Sequence, residues 1–300
     1  MKVVCPDHLE ALLIQGQRLR RERVCGRFAP TPSGPLHLGN LRTALLSWLQ
    51  VRLCQGQWLL RIDDLDSPRL RPGATESALD DLHWLGLHWD GSVIFQSQRL
   101  GLYSSFLSAL RSQGFLYACR CSRRQLAGRH PYPGTCRELA LGWGLEEGRL
   151  PAWRLVVPDT FASICGDLVV RRADGFVAYH LATVVDELTL GITDVVRGAD
   201  LAAACSAHQA LAAVLGQPSP VYHHVPLLRT GGGLKLSKRD QASGTAPLKA
   251  LGWEPEQLVG HLAASLGLVP SGTAISAAEL LERLKAQPHR LRDLLKAIDS

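Results

Sequence analysis

The sequence predicts an α/β fold: a parallel sheet, split by a mixed α+β insertion and followed by a short helical C-terminal region. Three observations carry that prediction. Short apolar runs alternate with helix-periodic segments over the first 115 residues. A loop-rich, cysteine-containing stretch breaks the alternation from about Tyr117 to Trp153, and helical periodicity dominates from Pro255 to Ile298. Strand–helix alternation is the mark of parallel sheets, whose crossovers are helices.

Taken in order, residues 1–23 read as an N-terminal extension with a short amphipathic helix. Asp7 and Glu10 interrupt its apolar stretch, and Arg18, Arg20, Arg21 and Arg23 stand where an export signal would carry small residues. A cytoplasmic location is therefore expected. Val24 to Phe28 reads as a strand, and Leu41, Ala44, Leu45, Trp48 and Leu49 mark one face of a helix. Trp58 to Ile62 is a second strand, with helices over Thr75–Leu87 and Leu100–Leu110. Val156–Val170 and Gly175–Val185 read as β-rich. A helix over Ala202–Leu215 and a short run over Tyr222–Leu228 follow.

Composition narrows the class. The chain has 300 residues, 46% hydrophobic, with 28 Gly and 17 Pro, which suits a globular protein and not a disordered one. No apolar run approaches the roughly 18 residues of a membrane span. The net charge of +6 suits a polyanionic partner and equally a solvated basic surface. Without an export signal, the eight cysteines are expected to be buried thiols or metal ligands and not a disulfide framework.

Two segments carry chemistry. Gly26-Arg27-Phe28-Ala29-Pro30-Thr31-Pro32-Ser33-Gly34-Pro35-Leu36-His37-Leu38-Gly39-Asn40 is a strand feeding a Pro/Gly turn and then a helix start. Helix N-termini offer free N–H groups and a positive dipole end, which suit phosphate. His37 can donate to phosphate oxygens, and Gly39 leaves room for a nucleotide. The second segment, Gly231-Gly232-Gly233-Leu234-Lys235-Leu236-Ser237-Lys238-Arg239, sets two lysines on a glycine-rich loop, where they can neutralise triphosphate charge. Either segment alone also fits an ordinary surface loop.

Together, these segments resemble the two signature motifs of class I aminoacyl-tRNA synthetases. Three further stretches resemble glutamyl-tRNA synthetases: Arg61-Ile62-Asp63-Asp64-Leu65-Asp66, Leu82-His83-Trp84-Leu85-Gly86-Leu87-His88-Trp89-Asp90-Gly91, and Ile192-Thr193-Asp194-Val195-Val196-Arg197-Gly198-Ala199-Asp200. The resemblance covers about Arg23 to Leu266. About sixty residues follow Lys238, too few for helical anticodon-binding domains, so it narrows to the truncated glutamyl-Q tRNA(Asp) synthetase family. It implies a class I Rossmann-like sheet with catalytic halves over 24–115 and 176–245, a zinc-binding, acceptor-like insertion over 116–175, and a helical region over 246–300.

The implied reaction activates glutamate with ATP and Mg²⁺, without tRNA, and transfers it to queuosine in the anticodon of tRNA(Asp). A monomer with no membrane partner is expected. His37 and Lys238 are the catalytic candidates, with Gly39, Asn40, Lys235 and Ser237 joining them around ATP. Asn40 stands where many class I enzymes carry a second histidine. Arg27, Phe28, Ala29, Pro30, Thr31, Asp63, Tyr179 and Arg197 are the candidates around glutamate, since two carboxylates call for two guanidinium forks. The family usually has Glu at Asp63, and a bridging water could span the missing methylene. Arg61, Asp64 and Asp66 are expected in an internal ion-pair network.

Cys119-x-Cys121 followed by Tyr132 and Cys136 offers three thiolates and an oxygen for tetrahedral zinc. On spacing alone His130 could replace Tyr132; the resemblance favours Tyr132. Rival readings are acceptor-end charging of a tRNA, an inactive RNA-binding paralogue, and a nucleotidyltransferase sharing the His-x-Gly loop.

Overall fold

The computed structural model describes residues 2–122, 124–227 and 244–299. The chain forms two compact units, one of residues 1–22, 96–192 and 203–220 and the other of residues 23–95, 193–202 and 221–300. Among the described residues, no helix is long and apolar enough to cross a membrane.

The first unit opens with α1 (Asp7–Glu22) and continues with α4 (Leu100–Ser112). It then builds a three-stranded antiparallel sheet from β4 (Leu116–Cys119), β5 (Ala152–Leu155) and β6 (Leu168–Arg171), with a single helical turn, α5 (Asp159–Ala162), before the last strand. Helices α6 (Tyr179–Thr189) and α7 (Cys205–Val214) complete it. Leu9, Leu13 and Gly16 of α1 are buried where that helix packs on α6.

Here the structure corrects three expectations. Cys54 is exposed and not a buried thiol. Val156–Val170 is not β-rich, since it holds the helical turn α5 and, as strand, only residues 168–170 of β6. Gly175–Val185 is not β-rich, because α6 begins at Tyr179. Every residue from Leu181 to Thr189 is buried, the polar Thr183, Asp186 and Glu187 included, so tertiary packing decides the helix. What remains visible in sequence is a β-branched apolar string, Thr183-Val184-Val185, which mimics a strand.

The second unit holds the parallel sheet. Its strands are β1 (Cys25–Phe28), β2 (Gln57–Ile62), β3 (Ile94–Phe95), β7 (Asp194–Gly198) and β8 (Val221–Val225), in the order β3-β2-β1-β7-β8. Helix α2 (Leu38–Leu53) connects β1 to β2, and α3 (Ala74–Trp84) precedes β3. Among the described residues, four more helices follow: α8 (Ala246–Ala250), α9 (Pro255–Ser265), α10 (Ala277–Ala286) and α11 (Pro288–Asp299). Helices α9 and α10 pack on α2, and α11 lies against β8, so the C-terminal region belongs to the same body as the sheet. This explains why α2 is buried nearly all round although its sequence shows a single apolar stripe.

Side chains along a strand alternate between faces, and parallel partners in register share a face. Phe28, Trp58, Leu60, Val196 and Val225 therefore fall on one face, and all five belong to the apolar core with α2. The other face carries Arg27, Arg61, Arg197 and His224. Its three arginines are at most 5% exposed, an unusual state for guanidinium groups.

Candidate active site

The strand order places a topological switch between β1 and β7, the crevice where parallel α/β sheets bind ligands. The loop after β1 leads from that crevice into α2. It is tied down by backbone bonds from Asp63 N to Pro30 O (3.0 Å), from Arg71 N to Pro32 O (3.0 Å) and from Ser33 N to Thr31 O (2.8 Å). Ala29, Pro30 and Thr31 thus occupy a fixed segment beside the end of β2. The Phe28 side chain is stacked on Trp58 within the core, so only its main chain faces the crevice.

His37 is the N-cap of α2. Its Nδ1 accepts from Asn40 N (3.1 Å), and Asn40 Oδ1 accepts from His37 N (3.2 Å), a reciprocal capping box. An imidazole accepting at Nδ1 carries its proton on Nε2, so His37 is a neutral Nε2–H donor. Desolvation lowers its pKa below the usual histidine value, against an opposing pull from Asp200. A Cβ on Gly39 would lie 3.0 Å from His37 Cε1 and Nδ1. Gly39 therefore makes room first for this ring, a role its sequence context does not show.

Lys235, Ser237 and Lys238 lie outside the described residues. The chain on either side of them is anchored within the sheet unit. Pro226 O accepts from the buried Arg42 of α2. On the far side, Thr245 donates to the buried Asp81 of α3, which also receives Lys249 Nζ at 3.5 Å. A Cβ on Gly244 would meet Pro35 Cβ at 2.8 Å, which sets that end of the segment against the His37 loop.

Arg27 and Arg197 sit on adjacent strands and on the same face, 5% and 3% exposed. Arg197 donates from Nε to His224 Nε2 (3.2 Å) and lies over the Tyr222 ring, 4.4 Å from its centroid. Asp63 is held by the Arg61 fork, Nε–Oδ1 at 2.6 Å and Nη2–Oδ2 at 3.1 Å. The bidentate partner of Arg61 is thus Asp63 itself. Tyr179 is the first residue of α6 in the other unit; its ring packs on His180 (5.5 Å) and His208 (5.3 Å). Tyr222 and His224 escaped the sequence reading because β8 carries no motif; period-two spacing over Val221–Val225 was the available signal.

The cysteine candidates converge in the first unit. Among the described residues, the Sγ atoms of Cys119, Cys121 and Cys136 lie within 4.8 Å of one another. Tyr132 Oη stands 3.4 Å from Cys119 Sγ and 3.7 Å from Cys121 Sγ, and Cys121 and Cys136 are 3.4 Å apart. Tetrahedral zinc, with Zn–S near 2.3 Å and Zn–O near 2.0–2.2 Å, sets S···O at about 3.5 Å and S···S at about 3.8 Å. The S···O distances fit that cage, the Cys121–Cys136 pair is closer than it requires, and the exposed His130 is not in the group.

Supporting residues went unread in the sequence. Gly166, at φ +64°, bridges to Tyr132, and a Cβ there would sit 2.6 Å from Tyr132 N. Arg154 lies over the Tyr132 ring at 3.6 Å. The buried Asp167 accepts the Arg137 fork (2.6 and 2.9 Å) and the Tyr117 hydroxyl (2.6 Å), tying the cage loop to the β4–β5–β6 sheet.

The family model for the catalytic domain of class I tRNA synthetases (E and Q) matches residues 23–131 and 158–286. The chain belongs to that family. It is a ligase of the class I tRNA synthetase type. A protein of Prochlorococcus marinus (strain MIT 9313) named glutamyl-Q tRNA(Asp) synthetase is 59% identical over 298 residues, covering 97% of each chain. One of the same name from Symbiobacterium thermophilum is 41% identical, covering 89% of this chain and 96% of its own. Among solved structures, a glutamate tRNA ligase from Elizabethkingia meningosepticum in complex with its amino acid matches at 25% identity and a TM-score of 0.69. That match covers 87% of this class I synthetase chain, which spans 64% of the ligase's length.

Proposed function

We propose that this class I synthetase activates glutamate with ATP and then transfers the glutamyl group to queuosine in the anticodon of tRNA(Asp). The observation that carries the proposal is the pair of buried guanidinium groups, Arg27 and Arg197, on one sheet face at the switch crevice, beside the His37-capped start of α2. Two buried cations suit a ligand with two carboxylates, and a helix start with an outward imidazole N–H suits a polyphosphate. The amino acid and the nucleoside are those in the name of the relatives, glutamyl-Q tRNA(Asp) synthetase.

In the first step, a glutamate α-carboxylate oxygen attacks the α-phosphorus of ATP. The bond to the bridging oxygen breaks, pyrophosphate leaves and glutamyl-adenylate forms. A queuosine hydroxyl then attacks the acyl carbon and AMP leaves. Neither step needs a protein nucleophile, so catalysis rests on positioning and on charge stabilisation. His37 donates from Nε2 to phosphate oxygen, with Gly39 and Asn40 holding its ring in place. Lys235, Ser237 and Lys238 are assigned to ATP phosphates from their motif, and Mg²⁺ bound with ATP would neutralise phosphate charge. Arg27, Arg197 and the main chain of 28–31 hold glutamate, Asp63 addresses its ammonium group from the Arg61 fork, and Tyr179 is assigned to glutamate from the family resemblance alone. Cys119, Cys121, Tyr132 and Cys136 would hold a structural zinc that fastens the loop before β5.

Two measurements test this. Pyrophosphate exchange should depend on glutamate and proceed without tRNA; no exchange under those conditions overturns the activation step. Labelled glutamate should pass to tRNA(Asp) containing queuosine and not to the same tRNA lacking it. Equal transfer to both would move the activity to the acceptor end.

A further inference from the structure

We infer that His224 is a positioning residue: it fixes how Arg197 presents its guanidinium, so that a bound carboxylate must take the end-on Nη1–Nη2 edge. The inference rests on the reading of Arg197 as a carboxylate ligand. Arg197 and His224 are register partners on β7 and β8, and Tyr222 stands two residues earlier on the same face. The Nε of Arg197 donates to His224 Nε2 at 3.2 Å while the Tyr222 ring supports the guanidinium at 4.4 Å. Arginine has no acceptor, so His224 must accept at Nε2 and carry its proton on Nδ1, as a neutral ring. With Nε committed, the side-on Nε–Nη2 fork is closed to a ligand.

The contrast with Arg61 shows what this arrangement supplies. On the same sheet face, Arg61 is forked by a carboxylate, Asp63, which cancels its charge. His224 orients Arg197 without cancelling its charge, and the 3%-exposed guanidinium sits where water screens it poorly. A neutral acceptor on the neighbouring strand thus aims the guanidinium by a hydrogen bond without itself bringing a counter-charge.

The test is steady-state glutamate-dependent pyrophosphate exchange by the full chain. His224→Leu keeps the volume and removes the acceptor; His224→Gln keeps an acceptor. A hydrogen bond to a charged group is worth roughly tenfold or more in binding. The glutamate KM of His224→Leu should therefore rise about tenfold, with the ATP KM within about twofold, and His224→Gln should recover most of the loss. A purely structural role would instead move both KM values and the melting temperature together. Should His224→Leu fail to fold, His224→Asn, one carbon too short, takes its place. An unchanged glutamate KM in either variant, or His224→Gln as impaired as His224→Leu, overturns the inference. Arg197→Ala separates the two layers: if it leaves glutamate KM unchanged, the reading beneath fails and His224 falls with it. A damaged Arg197→Ala beside a normal His224→Leu defeats the inference alone.

Discussion

His37 shows how one side chain does two jobs through its two nitrogens. Nδ1 closes the helix start and Nε2 is left as the donor, so the cap decides the tautomer that phosphate meets. Desolvation lowers its pKa, so the folded chain takes up this proton at lower pH than the ordinary value of about 6.5. Stability linked to the neutral ring is then fully present above about pH 6.5 and decays as the pH falls toward the lowered value. Pyrophosphate exchange should show its acid limb below pH 6.5. His37→Asn, which retains a capping side chain, should lower the plateau and abolish that limb; a limb unchanged in the variant assigns it to another group.

At the scale of elements, Asp167 joins a loop to a sheet. Burial and the Asp167 carboxylate raise the Tyr117 pKa above the usual tyrosine range, so its hydroxyl stays a donor. Asp167→Asn removes the charge that the Arg137 fork and this hydroxyl both address. Breaking a buried pair costs about 3–5 kcal/mol, and the partial exposure of Arg137 reduces this to roughly 2–3 kcal/mol. Urea unfolding should show that loss together with reduced zinc content; full zinc content in the variant would separate the hub from the cage. The elements also show what the sequence could disclose. Segments within one strand–loop–helix unit, such as β1 to α2, were legible because turn residues and periodicity lie side by side. Asp167, Gly166, Tyr222 and His224 were not, because their roles arise from strand register and chain crossings between distant residues. Helix α6 was misread because its β-branched string Thr183-Val184-Val185 mimics a strand.

At the scale of the whole molecule, the large apolar cluster around α2 lies in the second unit, and the cysteine cage belongs wholly to the first. Zinc removal should therefore act locally. Chelation, or Cys119→Ser, should open residues 117–137 to limited proteolysis while the ATP KM in pyrophosphate exchange stays within about twofold. An absence of zinc by elemental analysis of the purified protein would remove the metal from the account.

The two-residue beat of the central strands has a consequence for how this chain tolerates change. Phe28, Leu60, Val196 and Val225 alternate with Arg27, Arg61, Arg197 and His224, so greasy and cationic surfaces are written by one backbone rhythm. Substitution can alter one letter at a time. A lost or gained residue inside β1, β2, β7 or β8 instead inverts the downstream part of the strand, turning arginine toward oil and valine toward the crevice. Folding and recognition would then fail in the same stroke, which makes the length of these strands stricter than their spelling.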